Sequence, residues 1–449
     1  MTTAIIGGGY AGMAAAVELA DAGIRVAVFE AAKELGGRAR RVTLNGIALD
    51  NGQHILLGAY RQTLDLIARV RPGAAHALSR RRLELLVAGE FRLRAAPLPA
   101  PFDLVVGFAL ARGLSLAERC SAAVFLLRMR MHGFHLDSDL SVGELLRKAN
   151  QSARCIHLLW GPLCVSALNT PPADASAQVF LHVLQDGLLG ARGDSDLVIP
   201  REDLTALFPA PAAVYVAARG GSVRTGITIR GIAAAAHGYR LQGDSATVDA
   251  GATASTVYDN IIIAASPHRL PPLLAGLPAL APLAAAVEDF DYQPISTCYL
   301  QYAETVALPV PMLGLSTING HGAPARLGQW AFDRGQLSGV RGLIAVVISA
   351  SGPHESLSQD ALAARLHKEL ADLIPDLPRP IWNRVITEKR ATISCRPGLS
   401  RPSIRTAMPG IYVAGDFVES RYPATLEAAV SSGRAAARCI ISAAANSSS

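Results

Sequence analysis

Lysine is almost missing from this chain. Lys33, Lys148, Lys368 and Lys389 are the four lysines among 42 basic residues, and all the others are arginines. Aromatic residues make up only 5% and charged residues only 17%. The six cysteines (Cys120, Cys155, Cys164, Cys298, Cys395 and Cys439) form no CxxC pair and do not stand among histidines at ligand spacing. That argues against a structural zinc site, so no metal is expected. Free thiols in a reducing cytoplasm are the natural reading. No basic run is interleaved with aromatics, which removes nucleic acid as an expected partner. No secretory signal precedes the first strand-like run, so a cytoplasmic protein is expected. Three stretches without acidic or basic residues reach spanning length: 155–173, 270–287 and 305–325. Prolines interrupt all three, among them Pro271, Pro272, Pro278 and Pro282 in the second. A lipid-exposed span would leave backbone groups unsatisfied there, so they read as buried or substrate-lining segments.

What is present is a core. Half of the 449 residues are hydrophobic, which excludes a disordered chain and leaves room for about three domains. The net charge of +6 is carried by scattered arginines. Codon bias would account for their number. A surface that favours anionic lipid headgroups would account for it equally.

The amino terminus has a clear local logic. An apolar run at 3–6 leads into Gly7-Gly8-Gly9-Tyr10-Ala11-Gly12, then a helical pattern from Met13, then a second apolar run at 25–29 closed by Glu30. This is strand, glycine turn, helix and strand, the arrangement that binds a dinucleotide. Gly7 permits the turn, Gly9 lets a pyrophosphate approach the backbone, and Gly12 lets helix and sheet pack closely. The helix start, with Ala11 in its first turn, offers free N–H groups to an anion. Glu30 stands close to the ~20-residue separation at which a carboxylate accepts from ribose hydroxyls.

Two further elements point to a flavin. Gly36, Gly37 and Arg38 follow Glu30 closely, and Arg38 can neutralise pyrophosphate charge. Far away, Gly410-Ile411-Tyr412-Val413-Ala414-Gly415-Asp416 reads as a strand delivering Gly415 and Asp416, whose carboxylate can accept from a ribityl hydroxyl. Tyr422-Pro423-Ala424-Thr425 then opens a helical pattern at Leu426. The start of that helix would stabilise negative charge on the pyrimidine edge of a reduced flavin.

On these residues the chain resembles the FAD-dependent amine oxidase and phytoene desaturase superfamily. The fold this implies is α/β: a discontinuous, Rossmann-like FAD-binding domain at 1–75, 195–275 and 385–449, and an inserted α+β substrate domain at 76–194 and 276–384. Arg219-Gly220-Gly221-Ser222-Val223 and the run at 227–232 fit the superfamily's middle element, in which Ile229 takes the position that gives backbone contacts to adenine. Core packing is the competing role for Ile229. One branch is the most similar, carried by the segments Asp50-Asn51-Gly52-Gln53-His54-Ile55-Leu56-Leu57-Gly58-Ala59-Tyr60, Trp160-Gly161-Pro162-Leu163-Cys164 and Tyr422 through Val430. That branch is the hydroxysqualene dehydroxylases of bacterial hopanoid and squalene synthesis. The resemblance implies an isoprenoid substrate, a site for FAD and contact with a membrane surface on the inner face of the cytoplasmic membrane. It also suggests contact with squalene-synthase-like enzymes, and it leaves the electron donor unnamed. Gly52, Gln53, His54 and Ile55 are expected beside the isoalloxazine, with Thr425 and Leu426.

The implied reaction needs a proton on a departing allylic hydroxyl and a hydride on carbon. His54 is the first candidate donor, because an imidazole titrates near neutrality, and hydrogen bonding to flavin or backbone alone is its alternative. Asp194 and Asp196 are the second, and a capped surface turn is their alternative. His157 and Cys164 are expected either along a substrate tunnel or in core packing. Amine oxidases place an aromatic residue at the position of Thr425 and often a lysine near the flavin. Thr425 and the lysine-free stretch 149–367 depart from that pattern. The segment 102–134, apolar and dotted with Arg112, Arg119, Arg128 and Arg130, reads either as a core helix pair or as a lipid-facing rim. Runs at 295–302 and 343–349 are expected strands, 358–374 an amphipathic helix, and the tail 446–449 frayed. Two other functions fit the same pattern: a desaturase or isomerase taking hydride from a polyprenyl hydrocarbon, and a prenyl-lipid carrier without chemistry.

Overall fold

Five short runs build the first sheet: Thr2–Ile6 (β1), Arg25–Glu30 (β2), Ser222–Thr225 (β3), Asn260–Ile263 (β4) and Ile411–Val413 (β5). They pair in parallel in the order β3-β2-β1-β4-β5. Ala4, Ile5, Ile261, Ile262, Ile263 and Val413 are fully buried. Such unbroken apolar runs suit strands covered on both faces. The coordinates come from a computed structural model and describe residues 1–99, 102–188, 190–243, 256–315 and 326–447. Residues 316–325 of the third uncharged stretch and the last two residues of the tail lie outside the described residues.

The two ends of the chain meet in this layer. Tyr10–Asp21 (α1) and Leu426–Ser447 (α2) pack against each other and the sheet. Small residues make that approach possible. Ala14, Ala15 and Ala16 are fully buried, and a Cβ added at Gly433 would stand 2.0 Å from the Ala11 carbonyl oxygen. Gly12 is equally constrained, since its Cβ would fall 2.0 Å from the Gly7 oxygen. The Ser432 hydroxyl accepts from the Gly415 N–H at 2.8 Å, tying α2 to the turn that follows β5.

A second, seven-stranded sheet forms the inserted domain. Its spatial order is Trp382–Ile393, Tyr292–Gln301, Leu343–Ser349, Trp330–Asp333, Met312–Gly314, Glu84–Val87 and Phe91–Arg94. Its pairings are antiparallel except where Met312–Gly314 meets Glu84–Val87. The expected strand at 343–349 is present with those bounds, and the one at 295–302 begins earlier, at Tyr292. Helix Gln359–Ala371 fills the expected amphipathic stretch and is capped by the Ser358 hydroxyl, which accepts from Ala361 N–H. One boundary needs correction. The expected return to the FAD-binding domain at 385 falls inside the strand Trp382–Ile393, which stays paired with Tyr292–Gln301 as far as Ile393.

The 102–134 segment forms helices Phe102–Ala109 and Leu116–Met131. Ser115 starts the second with a capping box to Glu118. One face of this pair packs into the core and the other is exposed. Leu104, Phe108, Phe125 and Leu126 are buried, while Phe102, Leu110, Leu116 and Met131 stand 61–71% exposed. The uncharged stretch at 155–173 folds as Ala153–Cys155, a π-helical turn at Ile156–Trp160, and Gly161–Leu168. The stretch at 270–287 gives the short helices Leu270–Leu274 and Ala281–Glu288 with a 3-10 turn at Pro278–Leu280 between them. Among the described residues no helix is long and apolar enough to cross a membrane.

The contact between α1 and α2 yields a prediction. Gly433→Ala drives a methyl group into the Ala11 carbonyl, an overpacking that costs about 1–3 kcal/mol. A lowered urea midpoint is expected, and a midpoint equal to wild type would contradict this packing.

Candidate active site

Parallel sheets bind ligands beyond the carboxyl ends of their strands. Here a cleft of about 1100 Å³ opens at that edge of β1, β2 and β4. It is lined by Gly7, Gly9, Ala11, Glu30, Gly37, Arg38, Gly52, Gln53, His54, Ile55, Ile229, Gly415, Asp416, Thr425 and Leu426. Sequence-expected positions from both chain ends and the middle are thus brought together. Gly12 lies beneath the cleft and does not line it, in keeping with a packing role.

The charges in the cleft are held in place. Glu30 Oε2 accepts from Gly8 N–H at 2.6 Å and Oε1 from Ala32 N–H at 2.8 Å, so the acid also braces the glycine loop. Arg38 pairs with Asp416 through Nη2, and its Nη1 donates to the Ala391 carbonyl at 2.8 Å. Burial opposes the Arg38 charge, but Asp416, with Glu388 and Tyr292, outweighs it and raises the guanidinium above its ordinary value. At Gly415, φ is +154°, and a Cβ would collide with the Phe417 ring at 2.4 Å. Glycine is therefore required to turn the chain and deliver Asp416.

The cradle fits a pyrophosphate. Gly9 begins α1 with φ −76°, and no side chain caps the helix. A Cβ at Gly9 would meet no protein atom closer than 3.8 Å. Neither conformation nor protein packing demands glycine there. The bare Cα leaves space for a group from outside the chain, facing the positive end of a helix.

Next to the cleft lies an apolar chamber of about 240 Å³. Leu83, Leu85, Phe180, Leu184, Trp330 and Phe332 are among its walls. Gln53, Ile55, Tyr60, Ser166, Ala167 and Thr425 line both spaces and mark where they meet. Gln53 is held by a side chain that sequence reasoning missed: buried Arg334 donates from Nη1 to Gln53 Oε1 at 2.9 Å. Behind it, burial pushes the Asp50 carboxyl up to about 7, opposed by the Leu204 N–H and Arg334. Two tyrosines of the site were also missed. Tyr60 stands at the junction, and Tyr422 lines the chamber with its hydroxyl donating to Asp186 Oδ2 at 2.8 Å.

Several expectations for the catalytic group change. His54 lines the cleft but not the chamber, and its Nδ1 lies 3.2 Å from the Gly52 carbonyl. Burial lowers its pKa to about 4, against the weaker pull of that carbonyl. The imidazole is neutral at pH 7, which corrects the premise that it titrates near neutrality. Asp196 lines neither space. Ser195 and Leu197 on either side of it face the chamber, whereas its carboxylate accepts from Arg80 Nε at 2.7 Å. This corrects its placement as a catalytic group. Asp194 is used locally, accepting from Ala191 N–H and from Arg61. His157 and Cys164 do not line the chamber; the helix Gly161–Leu168 presents Pro162, Leu163, Ser166 and Ala167 instead. Lys389, outside the lysine-free stretch, does line the cleft, though not the chamber.

A dinucleotide cleft closed by both chain ends and joined to an apolar chamber defines a flavin-dependent oxidoreductase. The chain belongs to the family described as flavin containing amine oxidoreductase, whose profile matches residues 10–441, and its cofactor is FAD. Hydroxysqualene dehydroxylases of Rhodopseudomonas palustris and Zymomonas mobilis are 26% and 28% identical to it. Each alignment covers 98% of this chain and 99% of the relative. The solved structure of cyclohexylamine oxidase from Brevibacterium oxydans superposes with a TM-score of 0.69 at 17% identity, covering 98% of both chains.

The open space at Gly9 generates a prediction. Gly9→Ala leaves the urea midpoint of the FAD-free protein unchanged but weakens FAD binding about tenfold or more, some 1.4 kcal/mol. Flavin absorbance retained after gel filtration reads this out, and full retention would count against the cradle.

Proposed function

We propose that this enzyme removes the hydroxyl group of hydroxysqualene and places a hydride on the same allylic system, giving squalene and water. The observation that carries this reading is the apolar chamber meeting the cofactor cleft at Gln53, Tyr60 and Thr425. The names of the full-length relatives support the choice of substrate.

In this reading Glu30 receives ribose hydroxyls, the start of α1 with Arg38 receives the pyrophosphate, and Asp416 receives the ribityl chain. The backbone at Ile229 faces the adenine, and Thr425 and Leu426 place the start of α2 at the pyrimidine edge. FAD, once reduced, supplies the hydride. The chain's own work is to hold the alkene in the chamber, exclude water from an allylic cation and protonate the departing oxygen. A site in this family feeding a hydrocarbon pathway such as hopanoid synthesis needs no charged substrate anchor, and the chamber walls are accordingly apolar. Anaerobic mixing of the photoreduced protein with hydroxysqualene is expected to reoxidise the flavin and yield squalene by mass. Flavin reduction by a polyprenyl hydrocarbon, with no reaction of the alcohol, would point to a desaturase instead.

The water-insoluble substrate and the surface of the helix pair together support peripheral membrane binding. Phe102, Val105, Leu110, Leu116, Leu127 and Met131 form an exposed apolar face, with Arg112, Arg128 and Arg130 exposed beside it. Arg119 is committed to the Ala109 carbonyl. This combination suits an interfacial helix on anionic lipid. Cosedimentation with anionic liposomes is expected, weakening with salt and falling about tenfold or more in Leu116→Glu/Leu127→Glu, ~1.4 kcal/mol. No binding at low salt would refute it.

A further inference from the structure

We propose that Tyr60 is the proton donor to the departing hydroxyl. The assignment rests on the dehydroxylation reading and adds the group that His54 and Asp196 do not provide. A donor must reach an oxygen held in the chamber while the neighbouring carbon faces the cofactor. The side chains that line both spaces are therefore the field of choice. Ile55 and Ala167 are apolar. The Gln53 oxygen is held by Arg334, and its amide is no acid. Ser166 Oγ accepts from Trp330 Nε1 at 3.1 Å, and Thr425 Oγ1 accepts from Ala428 N–H at 3.2 Å as the cap of α2. Both are alcohols, far weaker acids than a phenol. Tyr60 is the acid at the junction.

Its position is fixed by the backbone. Tyr60 N–H donates to the Leu57 carbonyl at 2.9 Å, and the residue caps helix Arg61–Val70. That helix is anchored to α2, because Glu427 accepts from Gln62 and Thr63 N–H, both at 3.0 Å. The phenol thus moves with the same element that carries Thr425. Burial, then the Glu427 carboxylate, holds the phenol well above its ordinary pKa, against the lowering contact with Thr425. The side chain is consequently protonated throughout the neutral range, the state a donor needs. Tyr422, whose hydroxyl is already directed at Asp186, is the poorer candidate.

The step balances. The allylic C–O bond breaks, the phenolic proton passes to the oxygen, and water leaves. The carbon takes up a hydride, two electrons supplied by the reduced cofactor, and the Tyr60 phenolate recovers a proton from solvent. The test compares wild type and Tyr60→Phe, both loaded with FAD and photoreduced. Flavin absorbance and the spectral change on adding hydroxysqualene are expected to stay within about threefold of wild type, while single-turnover reoxidation by the alcohol falls about 10²–10⁴-fold. The allylic chloride of the same skeleton leaves without a proton, and both proteins are expected to reduce it at rates within about threefold. An equal loss on alcohol and chloride, or no loss on the alcohol, overturns the assignment. A wild-type protein inert to the alcohol overturns the function reading instead. Should Tyr60→Phe fold poorly, 3-fluorotyrosine in place of Tyr60 keeps the shape with a more acidic phenol. The rate with the alcohol then departs from wild type while the rate with the chloride does not, and an unchanged rate with the alcohol overturns the assignment.

Discussion

The backbone-to-backbone approach of the first and last helices is the constraint on which the site depends. A Cβ at Gly433 would stand 2.0 Å from the Ala11 oxygen, and one at Gly12 would stand 2.0 Å from the Gly7 oxygen, so neither position accepts a side chain. The start of α1 and the start of α2 are thereby held at one cleft, although most of the chain separates them in sequence. The Arg38–Asp416 pair spans the same gap on the cleft side. Arg401 reinforces it by donating to the Tyr422 carbonyl at 2.8 Å, which fixes the loop between Asp416 and α2. Binding chemistry that belongs to neither end alone follows from packing that involves no ligand.

The division of labour between the two spaces is chemical. The cleft carries the charged and hydrogen-bonding groups that a dinucleotide needs. The chamber carries carbon, and most of its polar side chains have a protein partner. Where they meet, a few side chains belong to both. His54 shows how fine the distinction is: it sits among the cofactor residues, yet its environment removes its charge and its reach stops short of the chamber.

The cofactor half of the site was legible in the sequence because its demands are local. A turn needs Gly7, a close approach needs Gly9, and delivery of Asp416 needs Gly415, each within a few residues of the group it serves. The chamber was not legible. Its walls come from Leu83, Phe180, Trp330 and Tyr422, distant in sequence and indistinguishable from ordinary core until the sheet brings them together. Asp196 was misread because the side on which a residue lies is set by its neighbours: Ser195 and Leu197 take the inner side and leave it to Arg80. The strand Trp382–Ile393 was divided at 385 because its many polar residues, typical of an edge strand, hide its pairing with Tyr292–Gln301.

That strand has a mechanical meaning. It pairs with Tyr292–Gln301 on both sides of a register shift at 389–391, and Thr387, Glu388, Arg390 and Ala391 form part of the cofactor cleft. The carbonyl of Ala391 accepts from Arg38. A single rigid beam therefore belongs to both halves of the molecule. Swinging them apart like a clamshell would break the beam's ladder or its grip on Arg38.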